Sequence, residues 1–253
     1  MNNIQLIALK GIPFVKPKDD LVQIILDNLK NNNITIHDND VIVIAQKIIS
    51  KSENRYVDLD KVKISEEAID LASKLNKDKG LIQTIINESN KIISTEKKVV
   101  IVEHKLGFIN INAGIDQSNI PQDKNLALLL PKNPTKSAVD LHQELTKFLN
   151  KNISIIISDS MTRPFRSGVT NFALASHNIQ SLIDLKGEED MFGNKLKGTE
   201  IAAADELASA AGLLMGQSDE GIPVVIIKGF NRSSYQTNNA FDLIVNENDD
   251  LYR

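Results

Sequence analysis

One short stretch of this sequence, residues 158–166, combines the side chains best suited to chemistry on an anionic ligand. Its polar and charged members are Ser158, Asp159, Ser160, Arg163 and Arg166. The apolar, β-branched run before it, residues 153–157, predicts a buried strand that ends at these groups. Ligands of α/β sheets bind at the carboxyl ends of the strands. A carboxylate, hydroxyl groups and paired arginines in that position suit a polyanion held through a metal ion.

The same pattern has a simpler explanation, in which Asp159 caps a turn and the two arginines pair with surface acids. A serine hydrolase is not favoured, because no Gly-x-Ser-x-Gly elbow surrounds Ser160. A glycosidase is not favoured either, because aromatic residues make up only 4% of the chain and tryptophan is absent, which leaves few surfaces for sugar stacking.

A second polar loop, residues 112–119, also follows an apolar strand and contains Asp116. Two carboxylates, Asp116 and Asp159, with hydroxyl and amide oxygens nearby suit hard divalent cations such as magnesium or manganese. Such ions bridge substrate phosphates in many enzymes. A plain turn is the alternative for residues 112–119, because Asn, Gly, Asp and Ser are also the commonest turn residues.

Lys51 follows an apolar run over residues 41–49, for which we predict one long strand. A lysine just past a strand end can reach a phosphate as a point charge, and a solvated surface lysine is the alternative. The sequence has no Walker-type Gly-x4-Gly-Lys-Ser/Thr motif and no Gly-x-Gly-x-x-Gly after a strand. Any nucleotide would therefore be bound by another design.

Composition limits the classes of function. The 253 residues carry a formal net charge of -4, which argues against non-specific nucleic-acid binding. Cysteine is absent, which removes disulfides, thiolate zinc sites and cysteine nucleophiles and fits a reducing cytoplasm. The four histidines are scattered singly, and no apolar stretch approaches the roughly 20 residues that a membrane span needs. We expect a cytoplasmic protein with no nucleic-acid or membrane partner.

The elements that position these groups are predicted from apolar periodicity. The predicted strands cover residues 4–9, 41–49, 99–102, 108–111, 126–130, 153–157, 171–176 and 223–227. The predicted helices cover residues 19–30, 65–74, 81–90, 137–149 and 199–215, with Ser65 and Ser137 as N-caps. Residues 182–197 lack a clear period and are predicted as loop. The alternation indicates a mixed α/β protein in which one subdomain is inserted into another.

Several short motifs occur in one order along the chain. They are Gly11-Ile12-Pro13, Ile49-Ser50-Lys51, Asn112-Ala113-Gly114-Ile115-Asp116, Ser158-Asp159-Ser160 with Arg163-Pro164-Phe165-Arg166, Ala204-Asp205-Glu206-Leu207-Ala208, and Leu214-Met215-Gly216-Gln217. In this combination, from about residue 11 to residue 229, the sequence resembles the coenzyme F420-0:L-glutamate ligase (gamma-glutamyl ligase) family. Each motif alone is weak, but the ordered set is specific.

The resemblance implies a mixed α/β (α+β) fold with two subdomains and an intertwined homodimer. It implies one catalytic unit over residues 1–253, without the nitroreductase-like domain that some relatives carry. The implied reaction joins L-glutamate to the carboxylate of coenzyme F420-0 through an acyl phosphate, with GTP as co-substrate. Mg2+ or Mn2+ is implied as the metal, with two ions expected and K+ as a further candidate ion. The implied partners are the substrates F420-0 and L-glutamate and a second copy of the chain.

The resemblance also implies the residues of the site. The metal ligands would be Asp116, Asp159, Ser160 and Gln217. The nucleotide site would be lined by Ile12, Pro13, Phe14, Val15, Gln46, Lys47, Lys51, Asn119, Met215, Gly216, Gln217, Ser218, Asp219, Glu220, Gly221 and Ile222. Lys51, Arg163 and Arg166 would offset charge during catalysis, and the two arginines could instead hold the glutamate carboxylates. Gln217 is neutral where some members of the family carry an acid, which predicts a more weakly held second metal ion.

Two other functions stay open at this point. One is a related gamma-glutamyl or amino-acid ligase that acts on another carboxylate, because a fold does not fix the substrate. The other is a nucleotide-binding regulatory protein without turnover. The presence of Asp116, Asp159 and Lys51 together argues against that second alternative.

Overall fold

The computed structural model describes residues 3–121, 124–230 and 237–251. Its strands are β1 (Gln5–Ala8), β2 (Val41–Ala45), β3 (Tyr56–Asp58), β4 (Ser89–Ser94), β5 (Ile101–His104), β6 (Ile109–Ile111), β7 (Leu126–Leu128), β8 (Ser154–Arg163), β9 (Arg166–His177), β10 (Ile183–Asp184), β11 (Glu200–Ile201) and β12 (Val224–Lys228). Its α-helices are α1 (Leu21–Asn31), α2 (Gln46–Ser52), α3 (Glu66–Leu75), α4 (Lys79–Asn87), α5 (Pro134–Leu149) and α6 (Ala203–Met215).

The largest sheet has the strand order β1-β12-β2-β8-β9. Strands β2 and β8 run parallel, whereas every other neighbouring pair of this sheet is antiparallel. In the parallel pair Val41 lies opposite Ser154, and Ala45 lies opposite Ser158. The end of β2 therefore lies beside Ser158, from which β8 continues beyond its partner. A long crossover connects the two strands.

Helices cover both faces of this sheet. Ile42 and Ile44 of β2 pack on one face in the cluster that includes residues of α1 and α5. Val41 and Val43 pack on the other face against α6. Successive side chains of a strand point to opposite faces, so a strand that is buried on both faces reads as the continuous apolar run seen here. The alanines of α6 allow that helix to lie close to the sheet.

The crossover between β2 and β8 contains a separate small core. Helices α3 and α4 pack there against the three-stranded antiparallel sheet β4-β5-β6. Ala72, Ile82, Val102 and Ala113 are among its buried members. The chain leaves this core after Ala113 and enters the loop that holds Asp116, so the second core ends next to the site.

The predicted mixed α/β class is confirmed, as is the hairpin now seen as β5 and β6. Ser65 caps α3 as predicted, because its hydroxyl accepts a hydrogen bond from the Ala68 N–H at 3.2 Å. Within the described part of the chain, no helix is both long and apolar enough to cross a bilayer.

The prediction of one strand over residues 41–49 is wrong. Strand β2 ends at Ala45, and α2 begins at once with Gln46. Ile48 and Ile49 belong to this helix, and their side chains are buried. A short apolar run fits a buried strand and a buried helix equally well, so periodicity could not separate the two.

The prediction that the strand over residues 153–157 ends at Ser158 is also wrong. Strand β8 continues through the polar residues to Arg163 and turns directly into β9, which begins at Arg166. The polar side chains therefore belong to a strand that leaves the core, and they do not mark its end. Three smaller predictions fail as well. Asn133 rather than Ser137 caps α5. The predicted helix over residues 81–90 ends at Asn87, before β4, and residues 200–201 of the predicted helix 199–215 form β11.

His104 at the end of β5 is a buried titratable group in this fold, with 3% of its surface exposed. Its Nδ1 accepts a hydrogen bond from the Leu106 N–H at 2.9 Å, and its Nε2 has no hydrogen-bond partner among the described residues. Burial lowers the pKa of His104 to about 4, and the charges of Lys105 and Arg55 act in the same direction. The folded protein thus disfavours the imidazolium form.

We predict that acidification destabilises the protein partly through His104. The unfolded chain takes up this proton near pH 6.5 and the folded chain only near pH 4, so stability present above pH 6.5 is lost as the pH falls through that window. Between pH 7.5 and pH 5, wild type should lose about 2 kcal/mol more unfolding free energy than His104→Asn, whose amide oxygen can still accept the Leu106 N–H. Urea unfolding at the two pH values measures this, and equal losses would contradict it.

Candidate active site

The carboxyl end of β2 and the polar residues 158–160 of β8 open into a cleft with a volume of about 680 Å³. The predicted site residues that line it are Ile12, Pro13, Phe14, Val15, Gln46, Lys47, Lys51, Asp116, Asn119, Asp159, Ser160, Met215, Gly216, Gln217, Ser218, Asp219, Glu220, Gly221 and Ile222. Ser158 and Ser118, which belong to the two polar stretches singled out from the sequence, also line it. The lining residues that sequence reasoning did not single out are Ala45, Ile48, Asn171 and Pro223. The predicted set thus converges on one cleft from five separate parts of the chain.

Arg163 and Arg166 are the predicted site residues that do not line the cleft. They flank the turn of the β8–β9 hairpin, where both side chains are exposed. Phe165 between them is 97% exposed. The hairpin carries these groups away from the sheet, and within one chain they are not part of the cleft wall.

Asp159 enters the cleft from β8. Burial raises the pKa of Asp159 to about 6, and the negative charge of Asp116 also raises it. Hydrogen bonds with the Ser160 backbone and the Gln46 side chain, and the charge of Lys47, partly offset these effects. Gln46 itself is buried and accepts a hydrogen bond from the Ser50 hydroxyl at 2.8 Å. The hydrogen bonds and the charge of Lys47 therefore do not fully offset the cost of burying the ionised carboxylate of Asp159.

Asp116 enters from the opposite wall and is fixed through its backbone. Its N–H donates to the Leu128 carbonyl at 3.0 Å, and the Leu128 N–H donates to its carbonyl at 2.8 Å. Its carboxylate lies 2.5 Å from Lys47 Nζ and accepts the Ser118 N–H at 2.6 Å. Burial acts to raise the pKa of Asp116, but Lys47 and Ser118 outweigh it and the pKa is lowered.

Lys51 is a buried lysine, 9% exposed, and not a solvated surface lysine. Its Nζ donates to the Asn119 carbonyl at 2.7 Å. Burial lowers the pKa of Lys51, the charge of Lys47 lowers it further, and Asp116 partly opposes them. Lys47 and Lys51, one turn apart on α2, give this wall of the cleft its positive charge.

The loop after α6 forms the third wall. It turns at Gly216, whose φ of 69° lies in the left-handed region. A Cβ at this glycine would overlap the Glu220 carboxylate, which accepts the Ser218 N–H at 2.8 Å. The Ser218 carbonyl accepts a hydrogen bond from the Asn119 side-chain amide at 2.9 Å, which ties this loop to the loop of Asp116.

Gln217 lies in the same loop and donates from Nε2 to Asn171 Oδ1 at 2.9 Å. Asn171 sits on β9 directly opposite Ser160 of β8. Sequence reasoning missed Asn171, because its place in the site depends on the hairpin register. The signal that could have identified it is a polar residue within an otherwise apolar strand that follows a polar turn.

The donor set of the cleft fits a hard divalent cation. No group of three or more His, Cys, Asp and Glu side chains able to hold a metal occurs within residues 3–121, 124–230 and 237–251. Asp116 and Asp159 supply two carboxylates close enough to influence each other, and Ser160 and Gln217 supply neutral oxygens. Such all-oxygen sets suit magnesium or manganese, which keep further positions for water and phosphate oxygens.

The sequence of this chain is similar to those of known proteins over most of its length. The family described as F420-0:Gamma-glutamyl ligase matches residues 11–229. The chain is 45% identical over 218 residues to the coenzyme F420:L-glutamate ligase of Methanocaldococcus jannaschii, an alignment that covers 86% of each chain. It is 40% identical over 227 residues to the enzyme of that name from Methanothermobacter thermautotrophicus, covering 90% of this chain and 89% of the relative.

A more distant relative covers the chain equally well. The coenzyme F420:L-glutamate ligase of Archaeoglobus fulgidus is 32% identical over 228 residues, covering 90% of this chain and 88% of the relative. The residues that the family model matches, 11–229, span both aspartates, both cleft lysines and the loop after α6. Because the match extends over nearly the whole chain, this protein belongs to the F420-0:gamma-glutamyl ligase family.

Proposed function

We propose that this chain is a GTP-dependent and metal-dependent ligase that joins L-glutamate to the carboxylate of coenzyme F420-0. The observation that carries the proposal is the convergence of Asp116, Asp159, Lys47 and Lys51 on one cleft of a family member whose relatives bear that ligase name. A cleft of about 680 Å³ is also of the size that small-molecule sites have.

The reaction proceeds in two steps. A carboxylate is a poor acyl donor, so an oxygen of the F420-0 carboxylate first attacks the γ-phosphorus of GTP, and GDP leaves. The resulting acyl phosphate has a good leaving group. The amine of L-glutamate then attacks the acyl carbon, the amine loses a proton, and inorganic phosphate departs as the amide bond forms.

The residues of this chain hold and align several anions during these steps. Asp116 and Asp159 would bind the divalent metal, with Ser160 and Gln217 as neutral ligands; the bound metal would supply Lewis-acid charge at the phosphate oxygens. Lys51 and Lys47 offset phosphate charge from the α2 wall. Arg163 and Arg166 lie on the exposed hairpin outside the cleft of one chain, so they would compensate acidic substrate groups only in a dimer.

The direct test is GTP hydrolysis measured with each substrate omitted in turn. GDP and phosphate should form only when F420-0, L-glutamate and Mg2+ or Mn2+ are all present. Turnover with another carboxylate in place of F420-0 would favour a related ligase, and nucleotide binding without any turnover would favour a regulatory protein.

We predict that Asp116→Asn and Asp159→Asn each lower ligation by at least about 100-fold, because each removes an anionic metal ligand. Steady-state assays at saturating substrate and fixed Mn2+ measure the loss. Asp140→Asn, on the exposed face of α5, is the matched control and should keep wild-type turnover. Near-native activity in either site variant would contradict the metal assignment.

We predict that Lys51→Ala weakens GTP binding by about 10- to 100-fold, because it removes a charge-assisted contact to phosphate. Isothermal titration calorimetry compares it with Lys136→Ala, which removes an exposed lysine of α5 and should leave the affinity unchanged. An affinity for GTP that is equal in the two variants would remove Lys51 from the nucleotide site.

We further propose that the active species is a homodimer. The exposed Phe165 and the half-exposed Val169 on the β8–β9 hairpin supply apolar surface for a second copy. Light scattering over a wide dilution range should give twice the mass of the 28.0 kDa chain. An active species that stays at the mass of one chain would contradict this prediction.

A further inference from the structure

One face of α6 is turned to the backbone of β9 through polar contacts. Asp205 Oδ1 accepts a hydrogen bond from the Ala173 N–H at 2.8 Å. One turn later, the Ser209 hydroxyl donates to the Asn171 carbonyl at 2.7 Å. Residues four apart on a helix share a face, so both side chains form hydrogen bonds with the backbone of β9 from the same side. Burial raises the pKa of Asp205, although the Ala173 N–H opposes this shift.

Gly212 continues this face by a further turn and meets the side chain of Asn171. A Cβ at Gly212 would lie 2.8 Å from Asn171 Cγ and 2.9 Å from Asn171 Oδ1. Its backbone φ is not in the left-handed region, so the requirement for glycine is steric alone. The missing side chain creates the space that Asn171 fills.

Asn171 in turn fixes Gln217 in the cleft. Because Asn171 Oδ1 accepts the hydrogen bond from Gln217 Nε2, the carbonyl oxygen of Gln217 is the atom left for a ligand. Partners of this kind, one contact behind a ligating group, orient it and tune its affinity. The chain of contacts therefore runs from α6 through Asn171 to Gln217.

Strand β9 has a β-bulge next to its contacts with α6. Ile157 pairs with Ala175, but Ser158 pairs with Ala173, so Leu174 is an extra residue in β9. Bulges next to active sites re-aim side chains, and a shift of one residue would turn Asn171 to the other face of the sheet. The N–H that Asp205 binds belongs to Ala173, at the end of this bulge.

We propose that Asp205, Ser209 and Gly212 are positioning residues that hold the bulged strand so that Asn171 orients Gln217 toward a metal ion. This inference rests on the proposed function for the role of Gln217. It assigns a role to the Ala204-to-Ala208 motif, none of whose residues lines the cleft.

The test compares four variants of the full chain. Asp205→Ala removes the acceptor for the Ala173 N–H, whereas Asp205→Asn keeps an amide oxygen there. Gly212→Ala inserts the Cβ that Asn171 excludes. Leu213→Ala, on the exposed face of the same helix, is the matched control, since Leu213 is 82% exposed.

Two measurements are made on each variant: the affinity for Mn2+ by calorimetry, and the side-chain amide resonances of Gln217 by NMR. Asp205→Ala and Gly212→Ala should weaken Mn2+ binding about tenfold or more and shift the Gln217 resonances. Asp205→Asn and Leu213→Ala should match wild type in both. Gly212→Ala provides an independent result should Asp205→Ala fail to fold.

The outcomes separate this inference from the proposed function. Gln217 resonances that stay in place in both Asp205→Ala and Gly212→Ala overturn the positioning role, whatever happens to stability. Asp205→Asn behaving like Asp205→Ala also overturns it. If the wild-type protein does not bind Mn2+, the proposed metal site is wrong. The NMR measurement of the Gln217 resonances still shows in that case whether α6 orients Gln217.

Discussion

The parallel pairing of β2 with β8 is the constraint on which the site depends. It sets Ala45 opposite Ser158, so that the first turn of α2 and the polar part of β8 begin at the same edge of the sheet. Gln46 and Lys47 then lie beside Asp159 although the whole crossover, residues 46–153, separates the two strands in sequence. The crossover itself returns past the same edge and delivers Asp116 to the facing wall.

The charged side chains of the cleft have few partners that offset their charge. Burial raises the pKa of Asp159 to about 6, so its neutral form is favoured below that pH, while Asp116 is kept ionised by Lys47 and Ser118. Lys51 is itself buried and is satisfied through a neutral carbonyl. Buried charges are costly unless they are paired, so a site of this composition gains most from a ligand that brings both positive and negative charge. A metal ion with a nucleoside triphosphate is such a ligand.

Much of the fold was predictable because apolar periodicity records burial directly. The alternate faces of β2, the Ser65 cap and the β5–β6 hairpin follow from local pattern.

The failures arose where local pattern carries no information. An apolar run cannot distinguish the end of β2 from the start of α2, and polar residues along β8 resemble a loop once the strand leaves the core. Asn171 belongs to the site only through a bulge and a helix contact, which depend on tertiary structure. The ordered motifs identified most lining residues, whereas the exposed position of Arg163 and Arg166 could be found only from the hairpin.

The cleft is assembled from segments near both ends of the chain and from the middle, with Ile12 on one wall and Pro223 on another. No single segment forms the cleft, so a chain in which these segments have not yet come together contains no cleft. A ligand that touches both Asp116 and Asp159 therefore binds only the native state and stabilises it by mass action, in proportion to the logarithm of its concentration above Kd. Because its contacts are so long-range, formation of the site closes long loops of the chain, which carries an entropic cost and favours slow folding.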